Sequence, residues 1–210
     1  YTSRMLLTLD VGNTNITAGV FPRRKLVGAK LRPGWLRGEK RTLEPVASFR
    51  MATNKSLTTD EMGATFANIC AMNDIPSERV TAAIVSSVVP PLNHSVARML
   101  RKYFNVAPLW VAHKHCAGLK IRYRDPSLVG ADRLVNAVAA YALYGAPALI
   151  VDFGTATTVC VVSKKFEYLG GIIMPGVFIS MEALFEKTAK LPKVELERPE
   201  RLLGIDTVGS

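Results

Sequence analysis

Three aspartates, Asp10, Asp132 and Asp152, sit at strand ends or in loops beside glycines, and acids so placed suit phosphoryl transfer. That reaction needs a cation on the phosphates, hydrogen-bond donors around them and a positioned acceptor hydroxyl. Asp10 ends an apolar run, Leu6-Leu7-Thr8-Leu9, and precedes a turn in which Gly12 is flanked by Asn13, Thr14 and Asn15. Glycine lets a ligand approach the backbone, and the turn's own N–H groups can form an anion-binding concavity. A carboxylate beside such a turn repels phosphate but can hold the cation that accompanies it. An ordinary Asx-rich hairpin turn would use the same residue types.

Asp132 lies in Gly130-Ala131-Asp132-Arg133, just ahead of an Ala-rich helical stretch. It reads either as an acid serving a substrate hydroxyl or as the cap of that helix. Arg133 could grip a carboxylate with two parallel hydrogen bonds, or form a surface ion pair. His94, His113 and His115 show no catalytic spacing, and His113 and His115 would alternate across a strand, which argues against a metal site. Cys70, Cys116 and Cys160 are far apart, without metal spacing, and read as buried filler in a reduced, cytoplasmic protein.

The elements that must carry these residues follow in order. Ile16 to Val20 resumes a strand after the first turn, and Val46 to Ala52 alternates as a third. Leu57-Thr58-Thr59-Asp60-Glu61 announces a helix to about Met72, with Thr58 as cap and Glu61 completing a capping box. Val80 to Val85 reads as a buried strand, Asn93 to Tyr103 as an amphipathic helix, and Pro108 to Ala112 as a short strand. This β-β-β-α-β-α-β order describes one three-layer α/β unit. A strand-like Leu119 to Tyr123, a helix over Leu134 to Tyr144, strands at Ala148–Val151, Val159–Val162 and Tyr168–Ile173, and a helix from about Val177 to Lys187 complete the pattern.

Within that order the opening motif returns. An apolar strand, an Asp, an apolar residue, Gly and a polar turn, then a second strand, occur at Asp10 and again at Asp152, where Gly154 to Thr158 forms the turn. The echo suggests duplicated halves facing a shared cleft. Each turn leads into a strand, so neither is a Walker loop or a dinucleotide-binding fingerprint, both of which open helices.

Composition narrows the classes. The chain has 210 residues, 49% hydrophobic and 21% charged, which is an ordinary globular balance. No apolar run is long enough to span a membrane, and none is expected to. The net charge of +10 is concentrated between Arg23 and Arg41, where eight Lys or Arg residues face the single acid Glu39. The remainder is only mildly basic and carries no interleaved aromatics of a base-stacking surface, so the segment reads as a solvated loop or hairpin arm, with anion steering as the second reading, and nucleic acid is not an expected partner.

The motifs together resemble the type III pantothenate kinases, members of the acetate and sugar kinase/Hsp70/actin superfamily. Asp10-Val-Gly-Asn-Thr-Asn15 is similar to that family's first phosphate motif and Asp152-Phe-Gly-Thr-Ala-Thr-Thr158 to its second. Tyr123-Arg-Asp-Pro126 with Gly130-Ala-Asp-Arg133 resembles its pantothenate-binding signature, and Gly170-Gly171-Ile-Ile-Met-Pro-Gly176 also fits. The resemblance implies two duplicated ribonuclease H-like (actin-like ATPase) α/β domains with mixed sheets and an ATP cleft between them. Their expected bounds are 1–115, with a basic insertion near 22–45, and 116–210, C-terminally short of the family's usual adenosine-binding segment.

It also implies ATP-dependent phosphorylation of pantothenate, the first step of coenzyme A synthesis, with Asp132 as general base. Asp10 would serve magnesium, and Asp10, Val11, Gly12, Asn13, Thr14, Asn15, Ile16, Thr17 and Thr155 would meet ATP. Asp152 would bind a monovalent cation, potassium or ammonium. Tyr123, Gly130, Ala131, Asp132, Arg133 and Thr207 would contact pantothenate, in a homodimer whose shared active site takes Thr207 from the neighbouring subunit. A catalytically weak accessory protein that keeps the kinase fold is the competing expectation.

Overall fold

The computed structural model describes residues 4–22, 44–116, 118–198 and 201–209. The basic stretch between Arg23 and Arg41, expected as a loop or hairpin arm, lies outside the described residues. The first sheet contains β1 (Met5–Val11), β2 (Asn15–Pro22), β3 (Ala47–Ala52), β4 (Val80–Ser87) and β5 (Pro108–Trp110), in the order β3-β2-β1-β4-β5. β1 pairs antiparallel with β2 and β2 with β3, whereas β1–β4 and β4–β5 are parallel. This is an α/β fold with a mixed sheet, as the resemblance implies.

Strand alternation assigns the sheet's two faces. Leu7, Leu9, Val11, Ile16, Ala18 and Val20 point into the main core, packed against α1 (Thr59–Met72) and α2 (Pro90–Phe104) through Met62, Phe66, Leu92, Val96 and Met99. The intervening residues Thr8, Asp10 and Thr17 face the other way. The capping box at α1 forms as expected: Glu61 N–H donates to Thr58 Oγ1 at 3.2 Å, and Thr58 N–H to Glu61 Oε2 at 2.9 Å. Gly63 sits beneath the Tyr103 ring, where a methyl group would overlap it, so this glycine sets the α1–α2 approach.

Several boundaries differ from expectation, each for a local reason. α2 begins at Pro90 rather than Asn93, because proline is accommodated in a helix's first turn, where its missing N–H costs nothing. The strand expected over Leu119–Tyr123 is only β6 (Lys120–Ile121), since the chain turns away toward Asp125-Pro126. His113–His115 forms a 3-10 turn instead of continuing β5, and His115 Nδ1 lies 3.0 Å from Trp110 O. α3 (Ala131–Tyr144) starts three residues before the expected Leu134 and is followed by Gly145 at φ 94°.

The second sheet has the order β6-β9-β8-β7, with β7 (Ala148–Phe153), β8 (Ala156–Val162) and β9 (Glu167–Pro175). The connections between β7 and β8 and between β8 and β9 are too short for a crossover, so these neighbours are antiparallel, while β6 and β9 are parallel. α4 (Val177–Lys187) follows. Two compact units emerge: Tyr1–Ile150 with Cys160–Gly170, and Val151–Val159 with Gly171–Ser210. The first holds both buried cores, the smaller built on Leu134, Ala137, Tyr141, Phe166 and Tyr168. In the second, no residue of α4 is buried. Among the described residues, no helix is long and apolar enough to cross a membrane.

Candidate active site

The first polar turn is braced from both sides. Gly12 N–H donates to Asn15 O at 3.0 Å and closes it, Thr53 Oγ1 donates to Gly12 O at 2.7 Å, and Thr53 N–H to Thr14 O at 2.9 Å. From the parallel side, Val88 N–H donates to Val11 O at 3.0 Å. Thr53 and Val88 carried no sequence signal, because long-range bracing leaves no local pattern. Asn13 and Thr14 are exposed at the tip. The Val11 and Ile16 side chains lie in the core at 0% and 1% exposure, so what they can offer a ligand is backbone. Asp10 is exposed on the opposite face, in register with Thr17 on β2 and Ser86 on β4. The C-terminal ends of adjacent parallel strands are where open α/β sheets bind ligands.

The segment from Tyr123 to Arg133 also falls within the first unit. Ser127 Oγ and N–H both donate to Asp125 Oδ1, at 2.6 and 2.9 Å, and hold that carboxyl below its ordinary value. The Asx turn feeds a short 3-10 turn, Pro126–Leu128, which delivers Gly130 as the N-cap of α3. Asp132 is therefore not the cap. It stands in the first helical turn, half-buried, with Oδ1 accepting from Arg133 N–H at 2.7 Å. A Cβ on Gly130 would come 2.5 Å from Asp132 Oδ1 and 3.7 Å from Val88 Cγ1, so the helix start lies against the end of β4. Ala131 is half-buried beside it.

Arg133 is 6% exposed, which excludes a surface ion pair. Its Nε donates to Cys160 Sγ at 3.2 Å, and its Cζ stands 5.6 Å from the Tyr168 ring centre. Tyr168, itself fully buried, donates its hydroxyl to Cys160 Sγ at 3.5 Å, and its ring lies 6.4 Å from that of Tyr123. Burial, reinforced by Cys160, pushes the Tyr168 phenol up, so it remains a donor. Burial works against the Arg133 charge, yet the Cys160 hydrogen bond and neighbouring electrostatics outweigh it, with Tyr123 contributing a further hydrogen bond. Nη2 of Arg133 is buried without a partner. A buried guanidinium N–H left unsatisfied costs free energy unless an acceptor arrives.

The echo of the first turn lies in the second unit. Gly154 N–H donates to Ala156 O at 3.1 Å, a glycine-closed turn one residue tighter than that of Gly12 and Asn15. Gly176, the N-cap of α4, donates its N–H to Thr155 O at 3.0 Å, and a methyl there would overlap the carbonyl oxygens of Gly154 and Thr155. The Met174-Pro175-Gly176 segment thus locks the second turn. Asp152 is half-buried at the end of β7, and Thr207 is exposed within the same unit. All three cysteines are free and buried, as expected. Among the described residues no group of three or more His, Cys, Asp or Glu could enclose a metal. A single exposed carboxylate beside turn N–H groups instead fits a magnesium held mainly by water and phosphate oxygens.

Comparison with known proteins agrees with these motifs. Residues 6–210 match the family profile described as type III pantothenate kinase. A type III pantothenate kinase of Koribacter versatilis (strain Ellin345) is 45% identical over 206 residues, covering 98% of this chain and 72% of the relative. Among solved structures, a Baf-family protein of Campylobacter jejuni, described as a transcriptional activator, superposes with a TM-score of 0.52 at 16% identity. That match covers 97% of this chain and 70% of the other, and speaks to the fold alone. With its paired Asp-Gly turns and its buried arginine inside a match that runs nearly end to end, the chain belongs to the type III pantothenate kinase family.

Proposed function

We propose that this chain transfers the terminal phosphoryl group of ATP to the primary hydroxyl of pantothenate, the first step of coenzyme A synthesis, in the cytoplasm. The observation that carries the substrate assignment is Arg133: a buried guanidinium with an unpartnered nitrogen, hydrogen-bonded by Tyr123 and adjacent to Asp132. The carboxylate of pantothenate supplies the missing acceptor. Gly130, Ala131 and Tyr123 shape the same pocket, and Thr207 serves it from the neighbouring subunit of a homodimer. The hydroxyl oxygen attacks the terminal phosphorus, the bond from phosphorus to the bridging oxygen breaks, and ADP leaves. An alcohol is too weak an acid to ionise beforehand. In a loose transition state its proton leaves late, so the Asp132 carboxylate suffices as acceptor.

Asp10 holds the magnesium end of ATP, with Gly12 to Asn15 and Thr17 around the phosphates and the backbone of Val11 and Ile16 beside them. Magnesium, when bound, offsets charge on the phosphate oxygens. Asp152 takes a potassium or ammonium ion and Thr155 a phosphate oxygen. These assignments draw on the repeated turn and on the family, as does the reading of 1–115 and 116–210 as duplicated halves with an ATP cleft between them. The test is ATP-dependent phosphorylation of pantothenate by purified protein, with and without potassium, alongside Asp132→Asn. Turnover that is lost in the variant while pantothenate still binds is the expected result. Intact turnover in Asp132→Asn removes that residue as base, and a folded wild type inactive under both conditions favours an accessory role.

A further inference from the structure

Ser86 has no part in the assignments above, yet among the described residues it joins Arg133 as a buried side chain with an unpartnered polar atom. Its side chain is 4% exposed, and its Oγ makes no hydrogen bond. It occupies the penultimate position of β4, directly in register with Asp10 on β1, which is itself in register with Thr17 on β2. Side chains paired across neighbouring strands share a face, so Thr17, Asp10 and Ser86 form one row across the sheet. That row borders a groove of about 410 Å³ whose remaining walls are largely apolar, among them Gly19, Ile84 and Val135. Val135 lies one helical turn after Asp132.

A buried hydroxyl costs free energy when it has no hydrogen-bond partner. Ser86 Oγ finds no partner among the groove walls, so its partner is something that enters beside Asp10. Neighbouring strands lie about 4.8 Å apart. A magnesium ion bonds oxygen at about 2.0–2.1 Å and usually keeps several waters. A chain of carboxylate, cation, water and hydroxyl therefore spans a neighbouring-strand pair without strain, whereas direct ligation by both side chains would crowd it. We propose that Ser86 is a positioning residue, whose Oγ accepts a hydrogen bond from a water in the coordination shell of the cation that Asp10 holds. The inference rests on the reading of Asp10 as the magnesium anchor. Ser86 fixes where that hydrated cation sits, and hence where the terminal phosphate is presented, without touching the reacting atoms.

The test is a titration of manganese into protein with saturating ATP, followed by electron paramagnetic resonance, beside thermal unfolding of the ligand-free protein. Ser86→Ala is expected to weaken manganese binding about fivefold to tenfold, the factor for one hydrogen bond. Ser86→Thr, which keeps the hydroxyl, should stay within about twofold of wild type. Ligand-free Ser86→Ala should melt no lower than wild type, because it removes an unsatisfied group. Wild-type manganese affinity in Ser86→Ala overturns the proposal, and so does a lowered melting point with unchanged binding. Loss of binding in Asp10→Asn alone then leaves the Asp10 reading standing. If Asp10→Asn also binds manganese normally, both readings fail together.

Discussion

Arg133 and Gly130 make separable demands on the same helix start. The Arg133 guanidinium already gives Nε to Cys160, so the proposed recognition of a carboxylate depends on the rest of its planar fork. Lysine would keep the charge but lose that fork. Arg133→Lys is therefore expected to raise KM for pantothenate about tenfold to a hundredfold, the value of a charge-assisted hydrogen bond, with KM for ATP little changed. Steady-state kinetics with each substrate varied in turn checks this, and equal effects on both KM values would sink it. Gly130 makes a different demand. Its φ of −55° suits any residue, so alanine costs the backbone nothing. The added Cβ would stand 2.5 Å from Asp132 Oδ1 and swing the carboxylate aside. Gly130→Ala should lower kcat at least tenfold while shifting stability by less than about 1 kcal/mol, since the atom displaced is the end of a flexible side chain. Chemical denaturation beside turnover separates the two effects. A drop in stability that accounts for the lost activity would remove the positioning role.

Among the elements, the two polar turns are each closed by a glycine N–H but differ in what braces them. The first is held by Thr53 and Val88, the second by Gly176 at the start of α4. Because the atoms a Gly176 methyl would meet are backbone carbonyls, Gly176→Ala must move the second turn, at a cost of roughly 1–3 kcal/mol. KM for ATP should rise more than KM for pantothenate; the reverse order would detach this turn from the nucleotide. The cap of α1 offers a pH readout. The Thr58 backbone N–H and hydroxyl bind the Glu61 carboxylate and hold its pKa below the ordinary value. A lowered folded pKa means stability that is complete above the unfolded pKa and lost as pH falls through the folded one. Thr58→Ala should cost about 1 kcal/mol at neutral pH and less in acid, checked by denaturant midpoints at both. This box was legible because its residues lie three apart in sequence. The strand–Asp–Gly turns were legible for the same reason. The start of α2 at Pro90, the 3-10 turn at His113 and the register of Ser86 beside Asp10 were not. The first two are set by local competition between equally allowed backbones, and the third by a parallel pairing that residues 12–79 separate in sequence.

At the scale of the whole molecule, apolar burial is unevenly shared between the two units. The first buries Leu7, Val11, Phe66, Leu92, Met99 and Leu100 in one core and Leu134 and Tyr168 in another, each below 2% exposure. In the second, Phe178, Leu184 and Phe185 on α4 remain exposed at 72%, 54% and 45%. Full burial of one such side chain stabilises by roughly 1.5–3 kcal/mol, so few contacts oppose local opening of α4. Hydrogen exchange should therefore grade the chain. Amides of β1, β4 and α2 are expected to exchange only through global unfolding, and those of α4 through local opening several kcal/mol cheaper. Gly176 couples that helix to the Gly154–Thr155 turn, so a nucleotide that orders the turn should slow exchange in the first turn of α4 before it affects β1. Mass-resolved exchange with and without ATP and magnesium reads both effects. Equal protection of α4 and β1 without ligand would refute the grading, and no change at residues 176–180 with nucleotide bound would uncouple α4 from the phosphate turn.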